Sequence, residues 1–479
     1  LGEVPQQARF IFDPAGSYAQ VFRQQGADLA FITGMLHWPM TDARFMEAGE
    51  LAAQQGVQVD FKISSLPESS HPNTVWVDLL SKTGDRLRAA ARSTGGGAVE
   101  ITRLNDWPVL LQGKHYEYLI LGDHEASASL ERRIESHGLQ TKVIKKQEQE
   151  GKVLLHIQDV QAVPDEIVDD LKGCGIQNIW QCEPVFFVRK GELKFDNSQD
   201  MVTLAQTQGW TLGEIVWDYE STLLGLSRNE VMAEMVRRYD VMSASVDQGF
   251  AGRDVQMQLL SPSAAEVQRA EREGRLALGG IHARAAAAAL AVMHVSNSMG
   301  VVCAAPTGGA AGTLPGVIRT LEEEWELDRE QIGLALFAAS GIGLILAHRA
   351  TFAAETAGCQ VEIGAAGAMA AAAVVELAGG NAQQAADAAA ISFQNTMGSV
   401  CDLVQGMCEI PCHTRNAVAA SSAFVCADLV LGGYHNPIPL DETIDAVFSS
   451  GKMLPSELRC TTLGGIAQAP SALALPRRR

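Results

Sequence analysis

The chain has 479 residues, 37 Lys and Arg against 56 Asp and Glu, and a formal net charge of −19. So acidic a surface repels nucleic acid and anionic membranes, and neither is expected as a partner. The length exceeds what one hydrophobic core supports, so two or three domains are expected.

At the start, Leu1-Gly2-Glu3-Val4-Pro5 has no basic flank leading into an apolar run, so a secretory signal is not legible and a cytoplasmic chain is expected. Upstream residues are expected to be missing or removed, because the first residue is not Met. Residues 1–112 mix strands and helices. Strands are predicted in Ala8–Phe12, Val57–Ile63 and Val75–Leu79, and a helix in Asp42–Gln55 from apolar residues at helical spacing.

Residues 113–198 read β-α-β-β-α-β, the ferredoxin-like order. Its strands are Tyr116–Leu121, Thr141–Lys146, Val153–Ile157 and Ile176–Cys182; its helices are Ala126–Ser136 and Pro164–Lys172. The second helix has Pro164 at its first position and Asp165 and Glu166 in its first turn. A module of this shape serves either as an ACT-like amino-acid effector site or as a packing unit.

Residues 199–479 read as an all-α domain. Ala-dominated segments (His282–His294, Gly364–Leu377, Ala382–Phe393, Arg415–Leu431) alternate with Gly-rich turns, and small side chains let helices approach closely. Two apolar stretches, Ala285–Ile318 and Ile332–Ala347, are expected at the centre of this bundle rather than in a bilayer. The basic end, Arg477-Arg478-Arg479, is expected to be a disordered tail.

Six of the nine cysteines (Cys303, Cys359, Cys401, Cys408, Cys412, Cys426) fall in one Ala- and Gly-rich region. Clustered thiols in a large acidic chain point to metal or redox chemistry. Cys359 follows Gly358, and Cys401 and Cys412 bracket the segment Cys401–Cys412, whereas Cys303 and Cys408 sit among apolar neighbours and are read as bystanders. From spacing alone the thiols are more readily read as small buried hydrophobes. The loop Ala304–Gly316 is glycine-rich and lacks the Gly-Lys-Ser/Thr of a phosphate loop. With Pro315 opening a helix, its backbone N–H groups suit a substrate carboxylate, or it is a simple turn. Ser69-Ser70-His71-Pro72-Asn73-Thr74 holds His71 on a rigid extended segment, as a positioned base, a hydrogen-bond donor or part of a surface turn. Lysine is absent between Lys194 and Lys452, so a pyridoxal phosphate cofactor, which needs a Schiff-base lysine, is not expected.

Taken together, the motifs resemble the iron–sulfur-dependent L-serine dehydratases (L-serine ammonia-lyases) in their single-chain form, over nearly the whole chain. The helical half carries Ser296-Asn297-Ser298-Met299-Gly300, Ala305-Pro306-Thr307 with the glycine loop, Gly358-Cys359-Gln360, Cys401-Asp402, Ile410-Pro411-Cys412, Arg415-Asn416 and Leu463-Gly464-Gly465. The N-terminal part carries Gly16-Ser17, Gln25-Gly26-Ala27-Asp28, His71-Pro72-Asn73-Thr74 and Gly95-Gly96-Gly97. The resemblance implies a small substrate domain (1–112), an ACT-like domain (113–198) and an iron–sulfur catalytic domain (199–479). It implies a 4Fe–4S cluster on Cys359, Cys401 and Cys412, with one iron open as a Lewis acid. Asn297, Thr307, Gly308, Gly309 and Ala310 would line the substrate pocket, and His71 and Asn73 would be the catalytic residues of the small domain.

The activity implied is loss of water and then ammonia from L-serine, or a close β-hydroxy amino acid, to give a 2-keto acid, a step of amino-acid degradation and gluconeogenesis. A homodimer and an amino-acid effector at the ACT-like domain are also implied. An L-cysteine desulfidase, a hydroxy-acid dehydratase and a non-catalytic metabolite sensor are the alternatives. Three departures from the family stand out. A Ser- and His-rich N-terminal stretch should precede Leu1. Gln24-Gln25-Gly26 stands where many members have Gly-His-Gly, and the end lacks the cysteine some members use to cover the open iron.

Overall fold

The computed structural model describes residues 2–66, 69, 71–136, 142–164 and 176–478. In Gln7–Phe12 (β1), Ala8, Phe10 and Phe12 are buried while Gln7 and Arg9 are exposed, the alternation of a half-buried strand. Phe10 stacks on Phe31 (centroids 4.7 Å apart) and Phe61 (5.2 Å), which fixes the register of this face. Gln58–Ile63 (β2) runs parallel to β1, while Thr74–Leu80 (β3), Arg86–Gly95 (β4), Ala98–Leu104 (β5) and Trp107–Leu111 (β6) add antiparallel strands in the order β2-β1-β3-β4-β5-β6. The sequence Arg-Leu-Arg-Ala-Ala-Ala-Arg within β4 favours helix by propensity, yet strand pairing on both edges overrides it.

The parallel β1–β2 pair needs a crossover, supplied by helices Ala27–Met35 (α2) and Ala48–Gln54 (α3), after a short first turn at Tyr18–Val21 (α1). The helix expected over Asp42–Gln55 therefore starts later, behind a 3₁₀ turn at Phe45–Glu47. Asp42 accepts from the Arg44 backbone N–H (2.9 Å) and pairs with its guanidinium (2.7 Å), a local turn that competes with helix.

The second sheet comprises Tyr116–Gly122 (β7), Lys142–Gln149 (β8), Lys152–Asp159 (β9) and Asn178–Cys182 (β10), in the order β10-β7-β9-β8 with antiparallel neighbours. Helix His124–Ser136 (α4) follows β7; the helix expected over Pro164–Lys172 lies outside the described residues apart from Pro164. Leu119, Leu121 and Leu154 of this sheet share a core with Trp107, Val109 and Leu111 of β6, so the two sheets pack through that edge.

Beyond these sheets the chain is helical: Ser198–Gln208 (α5), Leu212–Leu224 (α6), Arg228–Ala251 (α7), Ala264–Arg272 (α8), Ile281–Asn297 (α9), Thr313–Trp325 (α10), Arg329–Arg349 (α11), Ala354–Ala357 (α12), Ile363–Leu377 (α13), Ala382–Thr396 (α14), Cys412–Leu431 (α15), Leu440–Met453 (α16) and Pro470–Leu473 (α17). Capping boxes at Thr211/Glu214, Ser227/Glu230, Asp328/Gln331 and Asn381/Gln384 set four of the starts.

Helix α9 packs against α7, α10 and α15, and α13 against α11, α14 and α15. The approach is close enough that a Cβ on Gly249 of α7 would lie 2.0 Å from the Ala291 carbonyl oxygen of α9. Arg329–Arg349 and Cys359–Leu377 are long and apolar enough to cross a membrane, and 67% and 83% of their apolar stretches are buried inside the bundle. The chain is thus of mixed α+β class. Its end departs from the expectation: Arg477 donates to the Gln405 side chain (3.1 Å) and the Arg478 N–H to the Gln258 carbonyl (2.6 Å), so these two residues are docked rather than free.

Candidate active site

Helix α12 ends at Gly358, whose φ of +76° turns the chain into the 3₁₀ turn that carries Cys359. A Cβ there would also lie 2.6 Å from the Ser399 carbonyl, so the sharp approach excludes a larger residue. Cys401 lies on the two-residue strand Cys401–Asp402 (β11), which pairs with Arg459–Thr461 (β12), and Cys412 opens α15. All three cysteines are buried in one apolar cluster. The sulfurs of Cys359 and Cys401 and a carboxylate oxygen of Glu362 lie within 4.8 Å of one another.

Two further thiols join them. Cys408 Sγ is 4.0 Å from Cys412 Sγ, so it is not remote from the centre as its apolar neighbours suggested. Cys460 of β12 is buried beside Cys401 and takes a φ of +61°, unusual for a residue with a Cβ. Its carbonyl accepts from Ser17 Oγ (2.6 Å) and its sulfur faces the Gln25 amide (3.7 Å). Cys426 is buried in the main helical core, and Cys303 lies near Arg237 and Arg238, outside the site.

Arg415 of α15 supplies the positive charge. Its guanidinium contacts Cys359 Sγ (3.6 Å), donates to the Val400 carbonyl (2.7 Å) and pairs with Asp402 (2.9 Å), which in turn accepts from the Ile466 N–H (2.7 Å). Hydrogen bonding from Cys401 and the charge of Arg415 pull the Cys359 thiol down against burial. Contact with Cys359 and Cys460 and burial push Cys401 well up. Contact with Cys408 and burial do the same to Cys412.

The glycine loop abuts these sulfurs. A Cβ on Gly309 would lie 3.4 Å from Cys408 Sγ and 3.7 Å from Glu362. Asn416 clamps the loop to α15: its amide donates to the Gly309 carbonyl (2.8 Å) and the Cys412 carbonyl (2.9 Å), and its oxygen accepts from the N–H groups of Gly312 and Thr313 (both 3.1 Å). That capture starts helix α10 at Thr313, two residues before the expected Pro315. Ala310 is fully buried in the cysteine cluster, and Thr307 faces Glu362 with its hydroxyl short of a well-formed hydrogen bond. Asn297 is pinned through its amide to the carbonyls of Met293 (3.1 Å) and Cys408 (2.9 Å) and to His413 Nε2 (3.0 Å). His413 packs on His294, and burial pushes them down to about 3 and about 4.

The small sheet closes the other side. His71 Nδ1 accepts the Asn73 N–H (3.2 Å), and its Nε2 lies 3.4 Å from Thr356 Oγ1 on α12. Burial, then Arg92, holds the His71 pKa below its usual value. The Asn73 side chain is buried, with Nδ2 near the Ser93 carbonyl (3.5 Å) and Oδ1 without a partner. Both residues thus reach the segment that leads to Cys359. Two acids were missed in sequence. Glu362 is pushed well up by burial, then by Cys359 and Glu355; Glu355 is pushed up by burial, against the pull of Asn73 and Cys460. Glu362 stands three residues after Cys359, a readable signal; neither Glu355 nor Cys460 has one in its local spacing.

Buried thiols around a guanidinium are a soft donor set, which fits an iron–sulfur group better than a hard cation. A family profile described as serine dehydratase alpha chain matches residues 207–467. The chain is 35% identical over 284 residues to the probable L-serine dehydratase alpha chain of Bacillus subtilis (strain 168), covering 59% of this chain and 95% of that protein. It is 32% identical over 283 residues to the L-serine dehydratase alpha chain of Peptoniphilus asaccharolyticus, covering 59% and 97%. Against L-serine dehydratase 1 of Escherichia coli (strain K12) it is 36% identical over 181 residues, covering 37% of this chain and 40% of that protein.

Proposed function

The chain belongs to the family of the serine dehydratase alpha chain, and from that premise we propose that it takes water and then ammonia from L-serine through a 4Fe–4S cluster on Cys359, Cys401 and Cys412. It is a lyase of the L-serine dehydratase kind. The observation that carries the site assignment is the convergence of these thiols with Arg415 and the glycine loop, all inside the matched segment.

When bound, a cluster with three thiolate ligands supplies a Lewis acid to a hydroxyl or carboxylate. The protein's part is positioning and charge. Arg415 offsets the negative charge that buried thiolates would otherwise hold unpaired. With Gly312 and Thr313 committed to Asn416, the N–H groups of Gly308 and Gly309 and the Thr307 hydroxyl are the donors left for a substrate carboxylate. Asn297, held from three sides, and Ala310 shape the pocket.

Burial, then Cys359 and Glu355, raise the Glu362 carboxyl well above the usual carboxylate range, which suits it to hand a proton to the departing β-hydroxyl. His71 stays neutral, and because Nδ1 accepts a backbone N–H, its proton sits on Nε2, aimed at Thr356; that supports a role as hydrogen-bond donor. Asn73 is the second polar group from this side. Closure by the small sheet keeps the α-carbon dry, which strengthens every one of these interactions.

The finer organisation we propose is a substrate domain at 1–112, an ACT-like domain at 113–198 and a catalytic domain at 199–479. The β10-β7-β9-β8 order supports the second of these. An amino-acid effector at the ACT-like domain would have beside it a cleft of about 1110 Å³ between residues 185–189 and helices α6, α7 and α11, where Arg189, Glu220 and Arg238 offer both signs of charge. An exposed apolar stripe on α15 (Val418, Val425, Leu429) supports a homodimer. The test of the function is anaerobic reconstitution with iron and sulfide and a keto-acid assay on L-serine, L-threonine, L-cysteine and the matching hydroxy acids. Keto acid from L-serine is expected; a cluster-loaded protein inert towards L-serine overturns the reading.

A further inference from the structure

We infer that Glu355 and the side-chain oxygen of Asn73 form the seat of the substrate's α-ammonium group, an inference that rests on the amino-acid lyase reading and assigns it a specificity determinant. Glu355 lies on α12, one turn ahead of Cys359, and keeps accessible surface although Ala353, Ala354, Ala357 and Cys359 around it are all closed. Among the described residues no Lys, Arg or His pairs with it. Its neighbours are the Asn73 amide, the Cys460 thiol and the Tyr18 hydroxyl, and a second acid, Glu362, acts on it as a like charge. A carboxyl with neutral groups and a like charge around it, and no cation, is a site short of one.

The second observation is independent of the acid. Asn73 is 1% exposed, yet its Oδ1 has no hydrogen-bond partner. Buried carbonyl oxygens are nearly always paired, so an orphan beside a carboxyl is an acceptor awaiting a donor. An ammonium group carries three N–H donors and one positive charge, which is what a carboxylate and a carbonyl together lack. A hard metal ion fits less well, since the surrounding amide, thiol and phenol offer too few charged oxygen ligands to complete its shell. Position agrees as well. Cys460 touches both Glu355 and Cys401, so the seat adjoins the metal centre, as the nitrogen of a serine must adjoin its β-hydroxyl.

The test is equilibrium binding, under anaerobic conditions, of L-alanine and propanoate to the cluster-loaded chain. Neither has a leaving group, and they differ only in the ammonium. Wild type is expected to bind L-alanine at least about tenfold more tightly than propanoate, the size of one charge-assisted hydrogen bond. In Glu355→Gln that preference is expected to vanish with propanoate affinity and iron content unchanged, and Glu355→Asp is expected to be intermediate. An alanine preference that survives in Glu355→Gln overturns the seat; should that variant not fold, an undiminished preference in Glu355→Asp together with equal L-serine KM does so. L-serine turnover by wild type is read separately: no keto acid from loaded wild type sinks the lyase reading, whereas turnover with an unchanged preference in the variant sinks only the seat.

Discussion

The Arg415 guanidinium touches the Cys359 sulfur at 3.6 Å and grips Asp402 at 2.9 Å, so one side chain links a proposed ligand of the metal to the strand that carries another. Cys401 and Asp402 are consecutive on β11, which makes the guanidinium a brace between two ligand-bearing segments. A lysine keeps the charge but not the planar fork, and it cannot reach sulfur, carboxylate and the Val400 carbonyl together.

For Arg415→Lys the expected cost is about 2 kcal/mol in the stability of the loaded site, the size of a lost charge-assisted bond. It should show as iron released to an anaerobic chelator roughly tenfold faster or more. Release at the wild-type rate would mean that the guanidinium only solvates Asp402.

Five thiols crowd the site, so proximity does not choose the ligands. The proposed set predicts that Cys359→Ser, Cys401→Ser and Cys412→Ser each lose iron and acid-labile sulfide. Cys408→Ser and Cys303→Ser should retain both. The discriminating case is Cys408, 4.0 Å from Cys412: iron lost from Cys408→Ser but kept in Cys412→Ser would exchange the two roles.

Asn416 is fully buried and uses both ends of its amide, accepting from Gly312, Thr313 and the Thr313 hydroxyl (3.0 Å) while donating to the Gly309 and Cys412 carbonyls. Asn416→Ala would strand several of these buried groups at once, an expected loss of about 3 kcal/mol in denaturant unfolding. Asn416→Asp should fail as well, because it keeps the acceptor but loses both donors. Activity towards L-serine should fall together with stability, since the same residue shapes the glycine loop.

Legibility in the sequence followed the range of the interaction. Alternation in Ala8–Phe12 and the Ala-rich periodicity of Gly364–Leu377 are local, and both became the elements they suggested. The Asp42 turn and β4 went against local pattern, one through a side chain that captures a backbone N–H and the other through pairing with distant strands. Within the site, Cys359, Cys401 and Cys412 could be singled out by the family resemblance of their surrounding motifs, not by their spacing. Cys460 could not, because what places it is the Ser17 hydroxyl, 443 positions away, and a strand of three residues. Glu355 stayed hidden for the same reason: what marks it is Asn73, in the turn before β3 and far away in sequence.

His294 is 1% exposed, neither ring nitrogen has a partner, and burial pushes its pKa down to about 4. In the unfolded chain it titrates near 6.5. As pH falls below that value the unfolded state takes up the proton and the folded state does not, so stability is lost. The contribution is therefore complete above about pH 6.5, declines by about 1.4 kcal/mol per pH unit, and levels off near the folded value, with a total of about 3 kcal/mol. Glu376 and Asp387 are raised by burial and act with the opposite sign, their stabilisation being lost as pH rises. His294→Leu removes only the histidine and leaves those acids in place. Urea unfolding at pH 7.5, 6 and 5 should show wild type losing stability relative to the variant on acidification, with the gap widening between pH 6 and 5. Parallel pH profiles for the two proteins would mean that His294 is solvated or paired in the folded chain, and that the pocket behind Asn297 is wet.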